Sequence, residues 1–173
     1  MEHNAEQKAF LRQRMPEAYL EVRPVVEELR AWLADTANVN ASDPVASKRK
    51  LVGLEDPEGF TPVGQLIETV QRAADALKLD TKNAAACFML ARAITELARF
   101  DDTTYHPGPL REAVEFAEKA TQLAPRVGKA WRALIEIYIH LHRDEMVTDM
   151  LRDLGNNGFA PGTHATPRTW RSA

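Results

Sequence analysis

Two histidines close together in "EIYIHLHRDEM", His140 and His142, are the first residues to invite a chemical reading. Imidazoles can hold a divalent metal or relay a proton, provided they converge on one point. On a helix, residues two apart point about 200° away from one another, so these two cannot grip one ion. A helical metal pair needs a spacing of four, and only Glu136 stands at that spacing from His140. A lone Glu–His pair does not make a metal site. His106 sits beside Pro107, and His3 and His164 lie near the ends. The single cysteine, Cys87, rules out an internal disulfide and a cysteine-based zinc site. It stands in the apolar row "AAACFML", where burial would keep the thiol protonated and away from an activating base. "GLEDPEG" and "GNNGFAPG" carry the glycines of a phosphate loop but follow no strand. No Gly-x-Ser-x-Gly and no pair of catalytic carboxylates stands out. The expectation is therefore no catalytic residue, no cofactor and no metal, and a chain that acts through its surface.

The elements that would present this surface are helices. Ala, Leu, Glu, Arg and Lys are common, and β-branched residues never alternate over a strand's length. Glu2 to Leu20 reads as a helix interrupted near Pro16. A second begins near Pro24, with Val25, Val26, Leu29, Trp32 and Leu33 as its apolar stripe. Asp35 to Thr61 reads as one long irregular segment, disordered or functional, in which "SKRK" at 47–50 is a solvated charge run that could touch an acidic partner. Further helices are expected over Pro62–Leu79, Ala84–Phe100, Leu110–Leu123, Gly128–Leu141 and Asp144–Leu154, with a loop over Asp101–Pro109 and an irregular tail from Gly155. The 173 residues are 45% apolar and 27% charged with a net charge of -3, enough for one packed domain. That charge gives no global drive toward nucleic acid or an anionic membrane. No apolar run approaches the ~20 residues of a membrane span, and the polar start lacks the core of a signal peptide. A soluble, cytoplasmic protein is expected.

The helices repeat. Cys87, Leu90, Ala91, Ile94 and Leu97 share their spacing with Trp131, Leu134, Ile135, Tyr138 and Leu141, at an offset of 44 residues. Thr69, Ala73 and Ala76 match Ala113, Ala117 and Ala120 at the same offset, and these match Val147, Leu151 and Leu154 at an offset of 34. The unit is thus a helix pair of 34 residues, lengthened by ten in the middle pair by "DDTTYHPGPL". This pattern resembles the tetratricopeptide repeat family. The family's first-helix Trp, Leu and Tyr fall on Trp131, Leu134 and Tyr138, and Leu90, Ala91, Ala113, Ala120 and Pro125 match it in the middle repeat. Cys87, Ile94, Ala117, Ile135 and Phe159 depart from it. The likeness spans about Pro62 to Gly158.

The resemblance implies an all-α, short right-handed solenoid of antiparallel helix pairs with an N-terminal helical extension. Residues 1–34 would form a cap or degenerate first repeat, 35–61 a long loop, 62–158 the helix pairs and 159–173 a tail. Trp131 and Cys87 would occupy equivalent places in successive hairpins. The resemblance also implies a groove lined by the first helix of each pair, with Phe88, Arg92 and Glu96 from one repeat and Lys129, Arg132, Glu136 and His140 from the next. Its cations would suit an acidic or C-terminal peptide group. The last pair would end without a covering helix, leaving a face with Met146, Met150 and Leu151 for a partner, or for Phe159 or Trp170 of the tail. The implied function is a non-catalytic protein-interaction module: an adaptor or accessory, scaffolding subunit. The alternatives are a dedicated chaperone for one client, as small proteins of this family are in bacterial secretion systems, or a regulatory subunit of an enzyme.

Overall fold

The computed structural model describes residues 16–38, 40–99 and 104–157, with the backbone alone described for Thr36 and 143–157. Among the described residues the chain is all-helical. In order come α1 (Glu17–Ala34), a short 3-10 turn (Thr36–Asn38), α2 (Pro44–Leu51), α3 (Val63–Leu79), α4 (Ala84–Leu97), α5 (Pro107–Leu123) and α6 (Gly128–Asn157). The chain divides into two compact units, Met1–His140 and Leu141–Ala173. No helix among the described residues is long and apolar enough to cross a membrane. The expected helix over residues 2–15 and the tail with Phe159 and Trp170 lie outside the described residues. So do His3 and His164. The side chains of Met146, Met150 and Leu151 are likewise not described.

In the first unit α4 is the central element. It packs on α3 before it and on α5 after it, while α2 and α1 both pack on α3. Every residue of α4 from Ala86 to Leu97 except Arg92 is buried. Small side chains let its neighbours approach. Ala73, Ala74 and Ala76 of α3 and Ala113, Ala117 and Ala120 of α5 are all buried, so helix axes can close on one another without strain. Asn83 starts α4, its side chain accepting a hydrogen bond from the Ala86 N–H at 3.0 Å. Pro107 at the first turn of α5 costs no hydrogen bond there. That helix therefore opens three residues before the expected Leu110.

α1 begins at Glu17 and runs through Pro24 instead of starting at it. Its buried stripe is Tyr19, Val22, Val26 and Leu29, whereas Val25, Trp32 and Leu33 are only half-buried. A mid-helix proline costs ~3 kcal/mol, which burial of four apolar side chains at about 1.5–3 kcal/mol each offsets. Side chains tie α1 to two other helices. Lys78 of α3 reaches Glu28 at 2.9 Å. On α5, Glu115 takes a two-pronged contact from Arg30 at 2.7 and 2.8 Å, and Glu112 accepts from the Tyr19 hydroxyl.

Two expectations need correction. The segment 35–61 is not irregular throughout, because α2 lies within it. Asp43 caps α2 by accepting from the Ala46 N–H at 3.1 Å, with Pro44 at the first turn. α2 has no apolar stripe to betray it, and its one buried residue is Ser47, whose hydroxyl donates to the Ala76 carbonyl at 2.7 Å and accepts from Asn83 at 2.8 Å. Lys48, Arg49 and Lys50 of "SKRK" are exposed in its last turn, where cations suit the helix dipole. The second correction concerns the last hairpin. α6 is one continuous helix of 30 residues, with no reversal at His142–Asp144. None of those residues is Gly or Pro, so nothing local forces a break. Cys87 and Trp131 also fail to match: Cys87 is wholly buried and Trp131 is 43% exposed. The indole turns back along its own helix start, and its N–H donates to the Pro125 carbonyl at 2.8 Å.

Candidate peptide-binding face

α4 and the first three turns of α6 share one face, and most of the residues expected to line a groove come together there. The register of α4 puts Phe88, Arg92 and Glu96 in one row, four residues apart, so their side chains stack along one side, and Arg99 follows just past the helix end. From α6, Lys129 lies with its ammonium 4.8 Å from the centre of the Phe88 ring. Glu136 approaches Arg92 at 3.4 Å. His140 stacks on Tyr105, ring centres 4.1 Å apart. Arg132 is exposed and makes none of these contacts. Six of the seven expected residues thus form one cluster, and Arg132 stands outside it.

The charges are ordered by burial. The Glu96 side chain is only 5% exposed, and Arg92 and Arg99 both hold it, at 3.4 Å and 2.9 Å. A carboxylate so enclosed needs such partners. Arg99 also lies over the Tyr105 ring at 4.9 Å. Burial, followed by the nearby Glu96 charge, raises the Tyr105 phenol above its ordinary value, so it stays neutral at physiological pH.

The face is not empty. Between α2 and α3 the chain passes over it outside any helix, as a strap, Glu55–Gly59. Asp56 pairs with Lys129 at 2.9 Å. Arg92 donates to the Pro57 carbonyl at 3.2 Å, and the Pro57 ring is fully buried. At Gly59 an added Cβ would stand 3.4 Å from the Arg99 guanidinium, an ordinary contact distance that brings the strap beside Arg99. A turn then closes the strap: the Glu58 N–H donates to the Thr61 hydroxyl at 2.8 Å and the Thr61 N–H to the Glu58 carbonyl at 3.1 Å. Arg92 shares its five N–H donors among a peptide carbonyl and two carboxylates. Chemically, the arrangement holds a non-helical segment of chain by one carboxylate and one backbone carbonyl.

Sequence reasoning missed the strap, Arg99 and Tyr105. The signal available was "LEDPEGF", an acidic run around one proline, but nothing local says what such a run will lie against. Elsewhere, Cys87 is buried, and burial pushes its thiol up to about 12. His140 faces Tyr105, and among the described residues no group of three or more His, Cys, Asp or Glu side chains could hold a metal ion. With this geometry in hand, comparison with known proteins adds nothing further: no protein-family model, no curated protein and no solved structure matches the chain.

Proposed function

We propose that this chain is a protein-interaction module, an adaptor or accessory subunit, that receives an extended segment of a partner on the α4–α6 face. The observation that carries the reading is that this face already receives one: Arg92 reads a peptide carbonyl and Lys129 a carboxylate of the strap. Helix faces that combine a buried ion-pair network with an exposed cation suit acidic peptides. The packing of α4 on α3 and on α5 supports a helix-pair arrangement of the tetratricopeptide kind for this part of the chain. α1, on α3 and α5, serves there as a cap. The reading assigns the module no chemistry of its own.

The test uses exposed cations, so that folding is not at stake. Wild-type chain and the Lys129→Glu/Arg132→Glu double variant are immobilised and passed over native extract. A partner retained stoichiometrically by the wild type and lost from the double variant, at equal helical circular dichroism, is the expected result. Equal retention by both removes this face from the function.

A further inference from the structure

The strap is the chain's own statement of what the α4–α6 face binds. It lies outside any helix and is flanked by two points that can turn. Gly53, on its N-terminal side, has φ +82°, the left-handed region where glycine is at ease. On the C-terminal side the turn at Glu58–Thr61 carries Phe60, which is 86% exposed. Glu55 and Glu58 are exposed, Asp56 is exposed while paired with Lys129, and Pro57 is enclosed. Val52 and Val63, the apolar residues on either side in the chain, are 70% and 52% exposed. The strap meets the face through one ion pair, to Lys129, and one carbonyl, to Arg92, while the apolar residues that flank it in the chain stay exposed.

We infer that Glu55–Gly59 occupies the partner site in cis, and that the partner supplies an extended segment in which an acidic residue is followed directly by proline, taking the strap's place. This rests on the interaction-module reading above. The partner carboxylate replaces Asp56 on Lys129, and its prolyl carbonyl replaces that of Pro57 on Arg92. A tethered occupant competes at an effective concentration on the order of mM. A free segment then competes with the strap, and freeing the site strengthens its binding by the ratio of that effective concentration to the strap's own dissociation constant.

The probe is a fluorescein-labelled copy of residues 52–61, VGLEDPEGFT, titrated by anisotropy with full-length wild type, Asp56→Ala and Asp56→Ala/Pro57→Gly. The double variant is expected to bind the peptide at least about 10-fold more tightly than wild type, with the single variant between them. Adding Lys129→Glu to the double variant is expected to weaken binding by about 10-fold, and a peptide with Lys and Gly in place of the Asp-Pro pair is expected not to bind. Equal affinity for all three proteins, no binding to any, or indifference to Lys129→Glu overturns the inference. Loss of helical circular dichroism in both strap variants overturns it too, because the strap would then be part of the fold and not a replaceable occupant. A native partner retained equally with and without the strap changes overturns this inference and leaves the module reading standing. Peptide binding as expected, with no partner retained by any form, overturns the module reading alone.

Discussion

Cys87 shows how position overrides residue type. In a thiol, reactivity follows the thiolate, and desolvation by the surrounding α4 core pushes this group from an ordinary 9.0 to about 12. The chain should therefore react with Ellman's reagent only after denaturation, while the folded form stays inert over hours at pH 8. A rapid reaction of the native protein would show that α4 is not buried as described. The same shift has a stability consequence of definite sign. The folded state holds the thiol proton more firmly than the unfolded state does. Its contribution is thus fully present below pH ~9 and is lost progressively as pH rises toward about 12. Tyr19 acts in the same direction from its ordinary value of 10.0 upward, raised by burial and by its bond to Glu112. Urea melts at pH 7, 9 and 11 should show a falling midpoint only in the last step, and Cys87→Ala should flatten part of that fall.

At the scale of elements, α6 carries the sharpest departure from the repeat. A helix pair was expected with its turn near His142, and the backbone instead stays helical from Gly128 to Asn157. Sequence periodicity cannot separate these outcomes. A hairpin and a long helix place apolar residues at the same spacing up to the turn, and "HRD" contains no residue that forces either. Arg143→Pro separates them. In a helix interior proline costs ~3 kcal/mol or more, so the substitution should lower the helical circular dichroism signal measurably. An unchanged signal would place a turn there. α2 makes the complementary point. Its eight residues hold no apolar stripe, and what seats them is one buried hydroxyl, Ser47, bonded to α3 and to the cap of α4. Such a helix is set by its neighbours and is invisible to periodicity.

At the scale of the molecule's first unit, α1 closes the packing over α3 and α5. Two kinds of contact hold it, and their magnitudes differ. Leu29 is wholly buried, and truncating such a residue costs roughly 2–5 kcal/mol. The Arg30–Glu115 pair is well formed at 2.7 Å, but its side chains are 42% and 51% exposed, and surface pairs contribute about 0–1 kcal/mol. Denaturant melts should therefore show Leu29→Ala lowering the stability of the whole unit several-fold more than Arg30→Ala. Equal effects would mean that α1 rests on its charges and not on its stripe. The α4–α6 face is built on this packing, because α3 and α5 hold α4 from two sides and so fix Phe88, Arg92 and Glu96 in their row.

The sequence by itself determined the helices that bury a stripe. Val63–Leu79, Ala84–Leu97 and most of Pro107–Leu123 were legible because Leu66, Val70, Ala73 and Leu77, or Cys87, Leu90, Ala91 and Ile94, recur at helical spacing. Helical spacing also put Phe88, Arg92 and Glu96 on one side of α4, while their meeting with Lys129, Glu136 and His140 followed the resemblance and rests on packing. Only the tertiary structure decided what lies on that side. Asp56 meets Lys129 across 73 residues of chain, and Arg92 meets the Pro57 carbonyl across 35. Contacts of that span leave no local period. They depend on where a short loop is carried by the helices at its two ends, and that is settled by packing alone.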